Sequence, residues 1–178
     1  ILTKPIGTGT LFAAHARLQA AGRWIDAALA SMQVSNRLAV PCLIAHGARA
    51  CTDLTGFGLL GHLLEMTRAS QVDAELDLGA LPILPGALDT VAAGILSSLQ
   101  PANVRLRRAI RNPEAFLADP RYALLFDPQT AGGLLASVPA ASVAACLAEL
   151  HRLGYPNAVQ IGRILPTGDA MEPVILKA

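Results

Sequence analysis

The segment Thr52-Asp53-Leu54-Thr55-Gly56-Phe57-Gly58-Leu59-Leu60-Gly61-His62 joins a short apolar run to a leucine-rich one. Residues 48–52 form a short and largely apolar run, which favours a buried strand. After the glycines, apolar residues recur at helical spacing and predict a helix that ends near residue 69. The segment therefore predicts a strand that passes through an acidic residue and a glycine-containing turn into a helix.

The turn between this strand and this helix combines the parts of a magnesium–nucleotide site. Glycines let backbone amides approach an anion closely, and a helix N-terminus presents oriented N–H groups with a partial positive charge. Asp53 at such a junction can hold a Mg²⁺ ion that bridges phosphate oxygens. The alternative is that Asp53 or Thr55 caps the helix and the glycines serve packing. The residues alone leave both open, and without a Gly-Lys-Ser/Thr sequence the turn is not a Walker A loop.

Helical and extended patterns alternate along the rest of the chain, which predicts a layered α/β or α+β domain. Residues 72–78 alternate apolar with acidic side chains, the period of a half-buried strand. Further strands are predicted over residues 1–4, 122–126, 133–138, 158–165 and 173–177. Helices are predicted over residues 10–20, 25–32, 36–46 with a kink at Pro41, 87–93, 104–110, 113–117 and 139–153.

A second glycine-containing loop, Asp127-Pro128-Gln129-Thr130-Ala131-Gly132-Gly133, precedes one of these strands. In a functional interpretation, the Thr130 hydroxyl and the amides of Gly132 and Gly133 bind phosphate. The alternative is a hairpin turn in which Asp127 and Gln129 tie the backbone together. The residues of this loop do not separate the two.

Composition bounds the class of protein. The 178 residues suffice for one domain with a substantial core. A net charge of +1 excludes a nucleic-acid or membrane-surface binder driven by overall charge. With 53% hydrophobic and 15% charged residues, the chain is too apolar to be disordered. No apolar run approaches the roughly 20 residues of a membrane span, and no signal peptide is expected.

The remaining chemistry-bearing side chains are scattered. Cys42, Cys51 and Cys146 form no Cys-x-x-Cys pair, and we interpret them as reduced, mostly buried thiols. The four histidines show no His-x-x-x-His spacing, so a zinc site is not expected, and His62 is interpreted as a packed or hydrogen-bonded residue rather than a base. The arginines between residues 105 and 111 are interpreted as a solvated face.

Taken together, several segments resemble the C-terminal domain of the selenophosphate synthetases, also called selenide, water dikinases. The Phe-Gly-Leu-Leu-Gly-His extension of the first segment and the Asp-Pro-Gln-Thr-Ala-Gly-Gly-Leu-Leu loop are the more specific parts. The Thr-Asp-x-Thr-Gly-x-Gly core is shared by a wider superfamily that includes aminoimidazole ribonucleotide synthetase, thiamine-monophosphate kinase and a hydrogenase-maturation enzyme. The matching segments, in order, are Leu2-Thr3-Lys4-Pro5-Ile6-Gly7-Thr8-Gly9, residues 50–63, Leu81-Pro82 with Pro85-Gly86-Ala87, residues 126–135 and Ala158-Val159-Gln160-Ile161-Gly162.

The resemblance implies an α+β fold, a layered α/β/α sandwich with a mixed sheet and ferredoxin-like elements. It implies that the full protein is an ATP-dependent phosphotransferase with paired acceptors, which uses Mg²⁺ to convert ATP, selenide and water into selenophosphate, AMP and phosphate. Such an enzyme is a cytoplasmic homodimer of two-domain subunits, needs no nucleic acid or membrane, and supplies selenium for selenocysteine.

The resemblance also implies a site. Asp53 matches the aspartate of the family's C-terminal domain that reaches Mg²⁺ at the phosphates. Thr52, Thr55 and Gly56 are expected to support it, and Gly132 and Gly133 to form a second wall of the nucleotide cleft. No catalytic residue is assigned to this chain, because the family's nucleophile and glycine-rich loop lie in the N-terminal domain.

Residues 1–178 are expected to form a single domain that is inactive alone, with residues 1–9 as the linker or first strand from a missing N-terminal domain. One alternative is the C-terminal domain of another ATP-dependent superfamily member, of the aminoimidazole ribonucleotide synthetase or hydrogenase-maturation type. Another is a stand-alone, non-catalytic binding domain.

Overall fold

The computed structural model describes all residues from 1 to 178. Its strands are β1 (Ala50–Asp53), β2 (Val72–Asp77), β3 (Leu134–Ser137), β4 (Gly162–Pro166) and β5 (Val174–Lys177). Its α-helices are α1 (Thr8–Ala16), α2 (Gly22–Gln33), α3 (Ala39–Ala45), α4 (Gly58–Ser70), α5 (Ala87–Ala92), α6 (Gln100–Asn103), α7 (Pro120–Leu124) and α8 (Val143–Arg152). None of these helices has the length and apolar composition needed to cross a bilayer.

The strands form two sheets. In the first, β1 runs antiparallel to β3, and Asp53 faces Leu134 in the register. Leu2 adds isolated bridges to Leu135 and Val159 beside this pair. In the second, β2 is central, antiparallel to β4 and parallel to β5. The predicted mixed sheet is therefore confirmed.

Helix α4 lies in the main core. Its leucines 59, 60, 63 and 64 join Ala74 and Leu76 of β2 in one cluster of 26 buried residues. A second cluster of 10 buried residues unites α3, β3 and α8. Helix α4 packs against both β1 and β2. The turn between β1 and α4 is therefore anchored at both ends by elements that pack in the core.

Two predicted strands are wrong. Residues 1–4 form only the isolated bridges of Leu2, not a strand. Residues 122–126 lie in and directly after helix α7, not in a strand. Asp119 accepts a hydrogen bond from the amide of Arg121 at 2.9 Å, and Pro120 occupies the first turn, so two strong helix-start signals outweigh the short apolar run. Tyr122 and Phe126 then meet edge to face, four residues apart on the same side of the chain.

Other boundaries differ in detail. Pro41 does not kink a helix, because it lies in the first turn of α3, where its missing N–H has no partner to lose. Residues 36–38 before it form a separate 3₁₀ turn. The short helices predicted around residues 104–110 and 113–117 are 3₁₀ helices, and the strand predicted from residue 158 begins at Gly162.

Candidate magnesium and phosphate site

Asp53 is the last residue of β1, and its side chain is exposed. Its carboxylate makes no hydrogen bond or ion pair with another residue of the chain, although its backbone carbonyl accepts a hydrogen bond from the Thr52 hydroxyl at 3.4 Å. No side chain caps the N-terminus of α4, so the alternative that Asp53 or Thr55 serves as a helix cap is wrong. Asp53 thus remains a free carboxylate oxygen donor five residues before α4.

The turn after Asp53 is fixed by a buried histidine. Nε2 of His62 lies 3.1 Å from the amide nitrogen of Thr55 and 3.0 Å from its hydroxyl. An amide N–H can only donate, so Nε2 accepts, and Nδ1 carries the proton that it donates to Glu65 at 3.2 Å. This confirms the interpretation of His62 as a hydrogen-bonded residue, and it holds the exposed Thr55 in place.

The turn is also locked to the second glycine-containing loop. The amide of Leu54 donates to the carbonyl of Gly133, and the amide of Gln129 donates to the carbonyl of Thr55, both at 2.9 Å. Gly58 has a φ of 69°, and a Cβ there would lie 2.9 Å from the carbonyl oxygen of Leu125. The two loops therefore form one packed unit.

Gly132 and Gly133 are buried at this junction. A Cβ on Gly132 would contact the carbonyl oxygen of Leu54, and one on Gly133 would lie 2.5 Å from the amide nitrogen of Lys4. Close backbone packing therefore accounts for both glycines. A role for them in binding a nucleotide stays a prediction.

An open cleft of about 810 Å³ adjoins the two loops. Of the predicted site residues, Gly56 lines it, whereas Thr52, Asp53, Thr55, Gly132 and Gly133 do not. A Cβ on Gly56 would meet nothing within 4 Å, so this glycine leaves space beside the backbone. The other polar lining residues include Thr8, Ser97, Ser98, Gln129 and Thr130.

Two residues of the second loop cap α1. Oε1 of Gln129 accepts from the amides of Gly7 and Thr8 at 3.0 and 3.2 Å, and Oδ2 of Asp127 accepts from the amide of Gly9 at 3.0 Å. This confirms that Asp127 and Gln129 tie backbone together, although they bind a helix N-terminus rather than close a hairpin. These amides are consequently not free to bind phosphate.

Asn103 belongs to the site but is not predicted from the sequence. Its buried side chain donates to the carbonyl of Gly56 at 2.8 Å and to that of Phe126 at 3.0 Å, and so links the two loops. No motif marks it, because an asparagine in a turn-rich stretch has many equally ordinary interpretations. Only the tertiary fold places it under Gly56.

Asp127 is buried, and its Oδ1 has no hydrogen-bond partner. Burial raises the pKa of this carboxyl to about 7, and hydrogen bonds from Gln129 and the Gly9 amide offset only part of that effect. Because the folded pKa lies above the unfolded value, the folded state holds the extra proton between about pH 4 and pH 7. Stability is thus favoured at low pH and is lost as the pH rises through this window.

We expect Asp127→Asn to remove this dependence. An amide keeps an oxygen for Gly9 but carries no charge, so the variant should gain stability relative to the unsubstituted protein by up to about 1.4 kcal/mol per pH unit between pH 4 and 7. Urea unfolding at a series of pH values measures the difference. Asp26→Asn, at an exposed position, is the control. If the free energy of unfolding varied with pH in the same way for Asp127→Asn and the unsubstituted protein, Asp127 would not have a raised pKa in the folded state.

Comparison with known protein families gives a match for nearly the whole chain. Residues 1–171 match the model of the AIR synthase related protein, C-terminal domain. The chain belongs to this family. Membership in the AIR synthase related family accounts for the mixed sheet, and it agrees with the resemblance stated from the two glycine-containing segments.

Curated relatives of this AIR synthase related domain carry the name selenide, water dikinase. The one from Porphyromonas gingivalis is 36% identical over 177 residues, which cover 98% of this chain and 50% of the relative. The Geobacter metallireducens protein is 38% identical over 169 residues, covering 93% and 48%. The Trichlorobacter lovleyi protein is 37% identical over 179 residues, covering 99% and 50%. The chain spans about half the length of these relatives, as the resemblance to a C-terminal domain implies.

Solved structures of the same fold include the hydrogenase maturation protein HypE, with a TM-score of 0.69 and 18% identity over 98% of this chain and 47% of that one. A HypE structure in complex with ATP has the same TM-score at 17% identity, covering 98% and 45%. Thiamine-monophosphate kinase from Stenotrophomonas maltophilia has a TM-score of 0.60 at 20% identity, covering 97% and 48%. At these identities the likeness establishes the fold of the AIR synthase related domain and nothing finer.

Proposed function

We propose that this chain is the C-terminal domain of a selenophosphate synthetase, which converts ATP, selenide and water into selenophosphate, AMP and phosphate. The observation that carries the proposal is the 36–38% identity to selenide, water dikinases over nearly the whole chain. A HypE solved with ATP on the same fold supports a nucleotide as the ligand.

The residues around Asp53 fit a magnesium ion that phosphate helps to hold. Mg²⁺ prefers hard oxygen donors and is usually bound by one or two carboxylates together with substrate phosphates. Asp53 offers such an oxygen, exposed and without a partner in the chain, and no second acid or histidine completes a three-ligand cluster with it. The site would therefore bind Mg²⁺ weakly without the nucleotide.

In this proposal each residue of the turn has a simple task. Asp53 holds the metal, and the hydroxyls of Thr52 and Thr55 support the same polar edge. Gly56 has no side chain that could fill the cleft. Asn103 and His62 hold the turn through hydrogen bonds to the carbonyl of Gly56 and the amide of Thr55. When bound, Mg²⁺ neutralises triphosphate charge, which in-line phosphoryl transfer requires. Gly132 and Gly133 contribute to the second wall by allowing its loop to approach Leu54 and Lys4 closely.

The proposed partner of this domain is the N-terminal domain of the same subunit, because the relatives are about twice as long as the region they share with it. In the proposal that domain supplies the nucleophile and the remaining metal ligands, so residues 1–178 alone are inactive. The complete enzyme is proposed to be a cytoplasmic homodimer, in which the chain coming from the N-terminal domain enters this domain through residues 1–7, ahead of α1.

A synthetase of another branch of the superfamily is the second candidate, since HypE and thiamine-monophosphate kinase share the fold. The two candidates differ in their need for selenide. A stand-alone binding domain differs from both, because it consumes no ATP in any form of the protein.

Release of AMP by the full-length protein tests the proposal. With ATP and Mg²⁺, we expect AMP to form only when selenide is present, and residues 1–178 alone to form none. ATP consumption that is indifferent to selenide would favour the other branch. No ATP consumption under any of these conditions would favour the binding domain.

A further inference from the structure

A second group of metal-ligand side chains lies away from Asp53, between helices α3 and α8. The sulfurs of Cys42 and Cys146 and one imidazole nitrogen of His46 all lie within 4.8 Å of one another. Both cysteines are buried, and His46 is partly exposed at the edge. This is the one set of three such ligand atoms in the molecule.

The three ligand atoms come from two helices. Cys42 lies on α3 and His46 directly follows its last residue, four positions on, so both lie on one face of the helix, and Cys146 lies on α8. Glu149, one turn after Cys146, lies beside the group, with Oε2 3.6 Å from Nε2 of His46. Two thiols and an imidazole therefore converge where the helices meet, and a carboxylate borders the imidazole.

The imidazole of His46 lies between a cysteine and a carboxylate. Its Nδ1 lies 3.8 Å from the sulfur of Cys42 and 2.9 Å from the carbonyl oxygen of Cys42, whereas its Nε2 faces Glu149. Ligation through Nδ1 would replace the contact with the carbonyl, and Nε2–H would then donate to Glu149. A ligating histidine typically donates its other N–H to a carboxylate or a carbonyl, which fixes the tautomer and the ring plane.

The sulfur of Cys42 already faces helix α8. Its S–H contacts the carbonyl oxygen of Cys146 at 3.9 Å, so the two helices meet at the thiols. A divalent cation bound here would be compensated by two thiolates, with the Glu149 carboxylate beside His46.

We propose that Cys42, His46 and Cys146 bind a zinc ion, with a water in the fourth position and Glu149 hydrogen-bonded to the imidazole. Sulfur and imidazole ligands in a tetrahedral set of four are the preference of Zn²⁺. Binding converts the two thiols into zinc-bound thiolates and releases two protons to solvent. The ion would join α3 to α8 across the smaller core cluster.

Metal uptake by the reduced, metal-free full-length protein tests the site. We expect one Zn²⁺ per chain in competition with a chromophoric chelator, and about two protons released per ion at neutral pH. Co²⁺ in the same site should give thiolate-to-metal charge transfer and the intense visible absorption of tetrahedral cobalt.

Matched variants locate the ion. His46→Gln and Cys146→Ser should each weaken zinc binding by more than about 100-fold, because even partners outside the ligand shell are worth 10–100-fold. Glu149→Gln should cost about tenfold. Cys51→Ser and His15→Gln change the same residue types at exposed positions outside the group and should bind as the unsubstituted protein does.

Three results would overturn the proposal. They are a reduced protein that takes up no zinc, a Cys51→Ser variant that loses zinc binding as completely as Cys146→Ser, and a cobalt-loaded protein that shows no thiolate-to-metal charge transfer. A Cys42–Cys146 disulfide in the isolated protein, with no metal uptake after reduction, would show that the two thiols serve another purpose.

Discussion

Asp53→Asn should lower the rate of selenide-dependent AMP formation by the full-length protein by about 100- to 1,000-fold, the range seen when one charge-stabilising group is removed from a transition state. The amide keeps the size of the side chain and removes its negative charge, so it holds Mg²⁺ less well at the phosphates. Steady-state rates at several Mg²⁺ concentrations measure the loss, and the variant should need more Mg²⁺ than the unsubstituted enzyme.

The fold should survive this change. Asp53 is exposed and its carboxylate makes no hydrogen bond or ion pair within the chain, so the free energy of unfolding should change by less than about 0.5 kcal/mol. Asp26→Asn alters another exposed carboxylate, on α2, and should retain full activity. Normal activity in Asp53→Asn, or equal losses in the two variants, would contradict a metal-holding role for Asp53.

The second large effect is expected at Gly58, where the turn meets α4. Alanine there would adopt a φ of 69° and place its Cβ 2.9 Å from the Leu125 carbonyl oxygen. A left-handed non-glycine residue costs about 1–3 kcal/mol, and overpacking against backbone adds about as much. We therefore expect Gly58→Ala to lower the free energy of unfolding by about 3 kcal/mol, measured by urea denaturation.

Gly56→Ala provides the matched control two residues away. Its Cβ would meet no atom within 4 Å and its φ is not positive, so its unfolding free energy should change by less than about 0.5 kcal/mol. If both alanine variants were equally stable, close packing of Gly58 against the backbone at Leu125 would not contribute to stability as we propose.

How far the sequence predicts this structure depends on how local each signal is. The alternation of residues 72–78 is a complete strand signal by itself, and β2 lies there. The leucine spacing after Gly58 likewise predicts α4 to within a residue or two. In both elements the period of the apolar residues predicts the type of element, although Asp73 of β2 is also buried, where it pairs with Arg111.

Apolar runs without a period are ambiguous, and residues 122–126 illustrate why. Their residue types suit a strand, but Asp119 and Pro120 begin a helix just before them, and four of the five residues are buried. A short, fully buried helix and a short, fully buried strand present the same composition. The capping residues were the signal that could have separated them.

The site divides in the same way. The turn from Asp53 to Gly58 follows from its sequence, because glycines and an acid between a strand and a helix form a local pattern. Asn103 under Gly56 and the approach of Cys42 to Cys146 depend on residues 47 and 104 positions apart. Such contacts exist only after the helices have packed, and no spacing along the chain encodes them.

Phosphorus NMR on the full-length protein with ATP, Mg²⁺ and selenide, run beside Asp53→Asn, tests the central claim most directly. We expect a selenophosphate resonance together with AMP and phosphate from the unsubstituted enzyme, and only a trace of these products from the variant. Equal selenophosphate from both proteins would contradict the role of Asp53. ATP left unchanged, or split without any selenium-bound phosphorus, would contradict the proposed function itself.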